Sequence, residues 1–95
     1  MRALREFWEA GHPDAEKELR GWFYACEDAI WSNFAELRKD FRDADAVGGK
    51  VVFNINHNDY RLIAYVSYEY KTVMVKFVGT HAQYSRLKKK DIENL

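Results

Sequence analysis

The chain has 95 residues, 47% of them hydrophobic and 16% aromatic, with a formal net charge of zero. That is enough to form one ordered domain around one core, and it excludes both a disordered chain and a two-core protein. No apolar run approaches the roughly 18 residues of a membrane span, the N-terminus is too charged for a secretory signal, and Cys26 is the only cysteine. A cytoplasmic protein with no membrane partner is therefore expected, an intrachain disulfide or a cysteine-based zinc site within one chain is excluded, and Cys26 is read as core packing.

The first half reads as helical. Leu4, Phe7 and Trp8 form the apolar side of one or two turns before Gly11. Pro13, followed by Asp14 and Glu16, marks the start of a longer helix, because proline suits a first turn and acids suit the positive end of the helix dipole. Leu19, Trp22, Phe23, Cys26 and Ile30 then recur at spacings of three and four and draw one apolar stripe. Ser32 is expected to cap a further short helix with Phe34, Leu37 and Phe41, and residues 43–49 are expected to form a loop.

At Gly48-Gly49 the hydrophobic period changes from 3.6 to 2, and the charge changes sign. Residues 1–47 carry seven basic side chains against eleven acids, and residues 48–95 carry eight against four, so the halves differ by −4 and +4. Neither half could bury its apolar face alone, so one domain over 1–95 is expected: a helical part (1–47), antiparallel strands (50–80) and a short helix or tail (81–95). A polyanion would meet the second half first. Lys88 to Lys90 read equally well as a solvated tail.

Three runs, Val51 to Asn56, Tyr60 to Tyr68 and Thr72 to Val78, predict strands. Centring the turns on Asn58-Asp59 and Glu69-Tyr70 puts Asn56 opposite Arg61, Ala64 opposite Val75 and Leu62 opposite Phe77. One face then carries Val51, Phe53, Ile55, Leu62, Ala64, Val66, Val73, Val75 and Phe77, for the helices to cover. The other, wet face carries Asn54, Asn56, Arg61, Ile63, Tyr65, Met74 and Lys76, with His81 just past its edge, and holds no acid. The fold class is α+β, with N-terminal helices packed on one face of a small antiparallel sheet.

Read together, Val51-Val52-Phe53-Asn54-Ile55, Tyr60-Arg61-Leu62-Ile63 and Lys76-Phe77-Val78-Gly79-Thr80-His81-Ala82-Gln83-Tyr84 resemble the HigB branch of the RelE-like toxins of toxin–antitoxin systems. So do Leu4-Arg5-Glu6-Phe7-Trp8, His12-Pro13-Asp14-Ala15 and Trp31-Ser32-Asn33-Phe34-Ala35, which extends the resemblance over nearly the whole chain. It implies a RelE-like fold, an endoribonuclease that cuts mRNA, often on the ribosome, and inhibition by a HigA-type antitoxin with a helix-turn-helix domain. By position, Arg61 matches an arginine near the scissile phosphate, His81 a catalytic histidine, and Tyr84 the aromatic that follows it. Three departures stand out. Only Met1 to Ala3 precede the Leu-Arg-Glu-Phe string, so a first edge strand is expected to be missing or very short. The turn His57-Asn58-Asp59 replaces a more glycine-rich one, and Gln83 and Ser85 stand where acids are common.

RNA carries its own nucleophile in the 2′-OH, so cleavage needs a proton acceptor, a proton donor and stabilisation of the crowded phosphorane, and it needs no metal or cofactor. Imidazole exchanges protons near neutral pH, which suits His81; Arg61 offers a planar fork to the phosphate, Lys76 a point charge, and Tyr84 a ring to stack or a proton to give. Asn54, Asn56, His57 and Lys71 are candidate RNA contacts. The bland alternatives are an Arg61 paired with Asp59 or Glu69 and a Tyr84 that only caps the core. His12, His57 and His81 lack the close spacing of a zinc motif. A non-catalytic, gyrase-directed ParE-like toxin on the same fold, or an inactive variant, is the competing reading.

Overall fold

The structure is a computed structural model that describes residues 1–95. Helices α1 (Arg2–Glu9), α2 (Glu16–Asp28) and α3 (Phe34–Asp40) precede strands β1 (Asp45–Val47), β2 (Lys50–Ile55), β3 (Tyr60–Ser67) and β4 (Thr72–Thr80), and helices α4 (His81–Ser85) and α5 (Lys89–Glu93) follow. The strands form one antiparallel sheet in the order β1-β2-β3-β4.

The N-terminal helices form where the apolar spacing places them. Leu4 and Trp8 of α1 and Leu19 and Trp22 of α2 are buried against the inner face of the sheet, which presents Val51, Phe53, Ile55, Tyr60, Leu62 and Ala64. Trp22 and Phe41 both meet the Phe53 ring edge-on, with centroids 5.4 and 5.1 Å away, an arrangement that aromatic quadrupoles favour. Three helix boundaries differ from expectation. Pro13–Ala15 form a 3-10 turn before α2, which stops at Asp28, where Ala29 is extended; Ile30, expected on the apolar stripe, is 83% exposed. Asn33, and not Ser32, caps α3: its side chain accepts from the Glu36 N–H at 2.9 Å, while the Glu36 carboxylate accepts from the Ser32 N–H. Burial pushes the Cys26 thiol up to about 12, which keeps it protonated and inert, in keeping with a packing role.

The expected 43–49 loop contains a strand. Val47 pairs with Lys50 across Gly48 and Gly49, whose φ values of +57° and +78° suit a two-residue hairpin turn open chiefly to glycine. The β2–β3 hairpin is also registered differently: Ile55 pairs with Tyr60 and Asn54 with Arg61, two residues away from the predicted pairing. Asn56 and His57 adopt positive φ and widen the turn, so Asn56 is not across from Arg61. A shift of two conserves side-chain faces, so the inner and outer sets on β2 and β3 survive the error.

In the β3–β4 hairpin, Val66 faces Val73 and Ala64 faces Val75 as predicted, but a bulge at Lys76 then advances β4 by one residue. Beyond it Ile63 pairs with Phe77, Leu62 with Val78 and Arg61 with Gly79. Phe77 therefore belongs to the outer face and not the helix-covered one. Nor is that outer face simply wet. Val52 and Ile63 form a second small core with Ile92 of α5, joined by Val47, Phe77, Tyr84 and Leu87. The C-terminal segment is thus folded down onto the sheet, and Lys50 Nζ fastens it by donating to the Glu93 carbonyl at 3.1 Å, a cation at the negative end of α5.

Tyr60 ties the sheet to the helical layer by donating its hydroxyl to Asp14 Oδ1 at 2.5 Å. That bond, reinforced by burial, pushes the phenol up to about 12. A tyrosine that ionises later when folded stabilises fully below its unfolded value near 10, and the contribution disappears as pH rises from about 10 to about 12. Tyr60→Phe is expected to lower stability by about 1–2 kcal/mol at pH 8, with the gap to the parent narrowing by pH 11; urea unfolding at both pH values checks it.

Candidate active site

The site lies at the end of the sheet where β4 gives way to α4. Thr80 caps α4 by accepting from the Gln83 N–H at 3.1 Å, and Gln83 Oε1 accepts from the Thr80 N–H at 2.8 Å. This reciprocal box satisfies two N–H groups and fixes the angle at which His81 leaves the strand. The string Thr-x-x-Gln carries that signal in the sequence. The His81 N–H donates to the Asp59 carbonyl at 2.9 Å, which holds the start of α4 against the β2–β3 turn.

Gly79 permits this junction. A Cβ there would lie 2.6 Å from the Phe77 ring and 2.7 Å from Gln83 Oε1, so the position is small because ring and capping amide close over it. Gly79→Ala is expected to destabilise by about 1–3 kcal/mol and to misplace His81 by breaking the capping box; thermal unfolding and growth inhibition by the variant check both parts.

Arg61 sits beside Gly79 on β3. Its Nη1 donates to the Asn58 and Tyr60 carbonyls at 3.2 and 3.3 Å, its Nη2 to Asn58 Oδ1 at 3.2 Å, and its Cζ lies 5.5 Å from the centroid of the Tyr84 ring. All these partners are neutral. The molecule's two ion pairs are Arg2–Glu6 and Arg20–Glu16, so neither Asp59 nor Glu69 pairs with Arg61. Three of the five guanidinium N–H groups are engaged, and two remain for an incoming acceptor. Asn58, which holds the guanidinium end, was read in the sequence only as a turn residue.

His81 is exposed, and its Nδ1 lies 3.3 Å from Ser85 Oγ one turn along α4, leaving Nε2 toward solvent. The serine at 85 supplies this contact where an acid was looked for. Tyr84 is half-buried and does two things at once: one side belongs to the outer core and its face supports Arg61. Lys76, the extra residue of the bulge, is exposed.

Of the other candidates, Asn54 is Arg61's direct cross-strand partner. Asn56 and His57 turn away. Asn56 donates its amide to the Asp14 carbonyl at 2.8 Å and its backbone N–H to Glu18, and with His57 it borders a groove of about 650 Å³ that Asp14, Lys17 and Glu18 also line. Lys71 lies outside the cluster, because it follows the far end of β3, about 20 Å from Arg61 at the strand rise, and donates to the Trp31 carbonyl at 2.8 Å. The candidate site thus holds Arg61 with the Tyr84 ring beside it, Asn54 across the strand, and His81 two residues beyond Gly79, Arg61's partner on β4; Asn54 also borders the groove at Asp14.

No helix is long and apolar enough to cross a membrane. A search of curated proteins finds no match. Among protein-family models, residues 15–87 match HigB_toxin, the RelE-like toxic component of a toxin–antitoxin system. The match spans most of the chain, from the start of α2 to just past α4, and so takes in every residue of the site. The chain therefore belongs to the HigB_toxin family, as the RelE-like toxic component of a toxin–antitoxin system, and its partner is an antitoxin.

Proposed function

We propose that this toxin is an endoribonuclease that cuts mRNA on the ribosome without a metal, and that a HigA-type helix-turn-helix protein is its antitoxin. The observation that carries the reading is Arg61: a guanidinium with no carboxylate partner, braced by Asn58 and Tyr84, with two N–H groups free, and paired across the strands with Gly79, two residues before His81. A side chain held in this way has already lost much of its rotamer freedom, so gripping a phosphate costs less.

In this mechanism the 2′-OH attacks the adjacent phosphorus, the bond to the 5′-oxygen breaks, and the products carry a 2′,3′-cyclic phosphate and a 5′-OH. Arg61 clamps the nonbridging oxygens as negative charge gathers on them, with Lys76 adding to the positive field. His81 takes the 2′-OH proton at Nε2 and returns a proton to the departing 5′-oxygen, its ring oriented by Ser85 at Nδ1. Tyr84 supports Arg61 and gives a neighbouring base a surface to stack on, and Asn54 contributes an amide beside Arg61.

Primer extension on a translated mRNA, with and without ribosomes, tests the reading. Cuts confined to translated frames and lost with His81→Ala are expected. Equal cutting of free RNA would overturn the ribosome requirement, and no cutting under either condition would favour a non-catalytic, gyrase-directed toxin of the ParE-like kind.

A further inference from the structure

We propose that Tyr65 and Met74 form a stacking platform on the outer face of the sheet that holds the single-stranded RNA on one side of the cut. The inference rests on the ribonuclease reading above and extends it along the RNA. Tyr65 and Met74 are direct cross-strand partners on β3 and β4, and they remain 44% and 47% exposed. A single exposed apolar side chain would mean little. Here two stand opposite each other on a face whose other apolar positions, Val52, Ile63 and Phe77, are covered by the C-terminal segment.

The position on the sheet favours RNA as the occupant. Tyr65 is four residues from Arg61 on the same strand, hence on the same face and about 13 Å away. That distance corresponds to about four nucleotides at a stacked rise of about 3.4 Å, and fewer when the strand is extended. β3 and β4 contain no acid, and their only cations are Arg61 and Lys76. The alternation that puts Met74 on the outer face returns to it at Lys76, between the platform and the site. An aromatic surface flanked by cations is the usual means of binding a single strand without reading its sequence, since every base has a flat face. Ile63, between Arg61 and Tyr65, is covered, so the path of a polyanion from Arg61 to Tyr65 runs over the exposed Lys76 on β4.

The test is fluorescence anisotropy with a labelled single-stranded RNA 12-mer of mixed sequence, using the full chain with His81→Ala to prevent cutting, alone and combined with Tyr65→Leu or Tyr65→Phe. Leucine keeps an apolar side chain in the strand but removes the ring; phenylalanine keeps the ring. Tyr65→Leu is expected to weaken binding roughly tenfold, and Tyr65→Phe by less than about twofold. Thermal unfolding of each variant separates loss of the ring from loss of the fold. RNA binding that is equal in all three would overturn the platform and leave the nuclease reading standing. A parent that does not bind the RNA at all would overturn the platform, while the nuclease reading stands or falls on the primer extension with ribosomes. Unchanged RNA binding with weakened antitoxin binding in Tyr65→Leu would assign the pair to the protein partner instead.

Discussion

Arg61→Ala is expected to abolish growth inhibition and to lower RNA cleavage about 10²- to 10³-fold, the cost typical of removing one preorganised group that stabilises developing charge. The loss should appear in the rate of the chemical step more than in RNA binding, because the phosphate gains its extra negative charge only on the way to the phosphorane. Arg61→Lys should recover only part of the rate. An ammonium restores the charge but cannot be held end-on by the Asn58 carbonyl and amide while offering two parallel N–H groups outward. Stability should change by no more than about 1 kcal/mol, since the bonds lost are solvent-exposed or only partly buried. Growth assays and single-turnover cleavage, with circular dichroism and antitoxin pull-down on the same variants, check these expectations; the fold and antitoxin binding should persist.

The second large effect is expected at His81. His81→Ala should cost about 10² to 10⁴ in cleavage rate, the usual value of a positioned acid or base. The backbone contact from residue 81 to Asp59 and the Thr80–Gln83 box do not involve the imidazole, so α4 should form in the variant as it does in the parent. That separates the chemistry of the ring from the architecture of the junction, which Gly79→Ala disturbs instead. A parallel fall in rate and stability in His81→Ala would indicate a structural histidine.

The strand part of the candidate site was legible in the sequence because Arg61 and Asn54 sit at strand positions whose faces are robust. Arg61, Asn54 and Ile63 share the outer face under the predicted register and under the observed one, since the two differ by two residues. Asn56 and Phe77 were misplaced for local reasons. The positive φ of Asn56 takes it out of the ladder, and the bulge at Lys76 reverses the alternation for Phe77; neither leaves a mark in a binary pattern. Lys71 looked available because it is a cation in the basic half, but its partner is a backbone carbonyl 40 residues away. The C-terminal segment was hidden by its own composition. Three lysines precede Ile92, and that one isoleucine, with Leu87, brings the segment onto Val52 and Ile63.

The role of Asn58 shows what a sequence reading misses more generally. A turn asparagine is common, and nothing in its neighbours announces that its carbonyl and side-chain oxygen grip an arginine three residues away. The acids absent at 83 and 85 turn out to be replaced by working groups. Gln83 closes the cap that aims α4, and Ser85 meets His81 Nδ1. The proton chemistry proposed for His81 therefore relies on a neutral hydroxyl for orientation and on Arg61 for charge.

The most direct measurement is the chemistry of the cut ends when the purified toxin acts on ribosome-bound mRNA exchanged into a buffer that keeps ribosomes intact, with a 2′-deoxy substitution at the mapped cleavage position as the comparison. Attack by the RNA's own 2′-OH predicts a 2′,3′-cyclic phosphate and a 5′-OH in the parent, and no cleavage at the substituted position. Products ending in a 3′-OH and a 5′-phosphate, or cleavage that continues at the 2′-deoxy position, would contradict it.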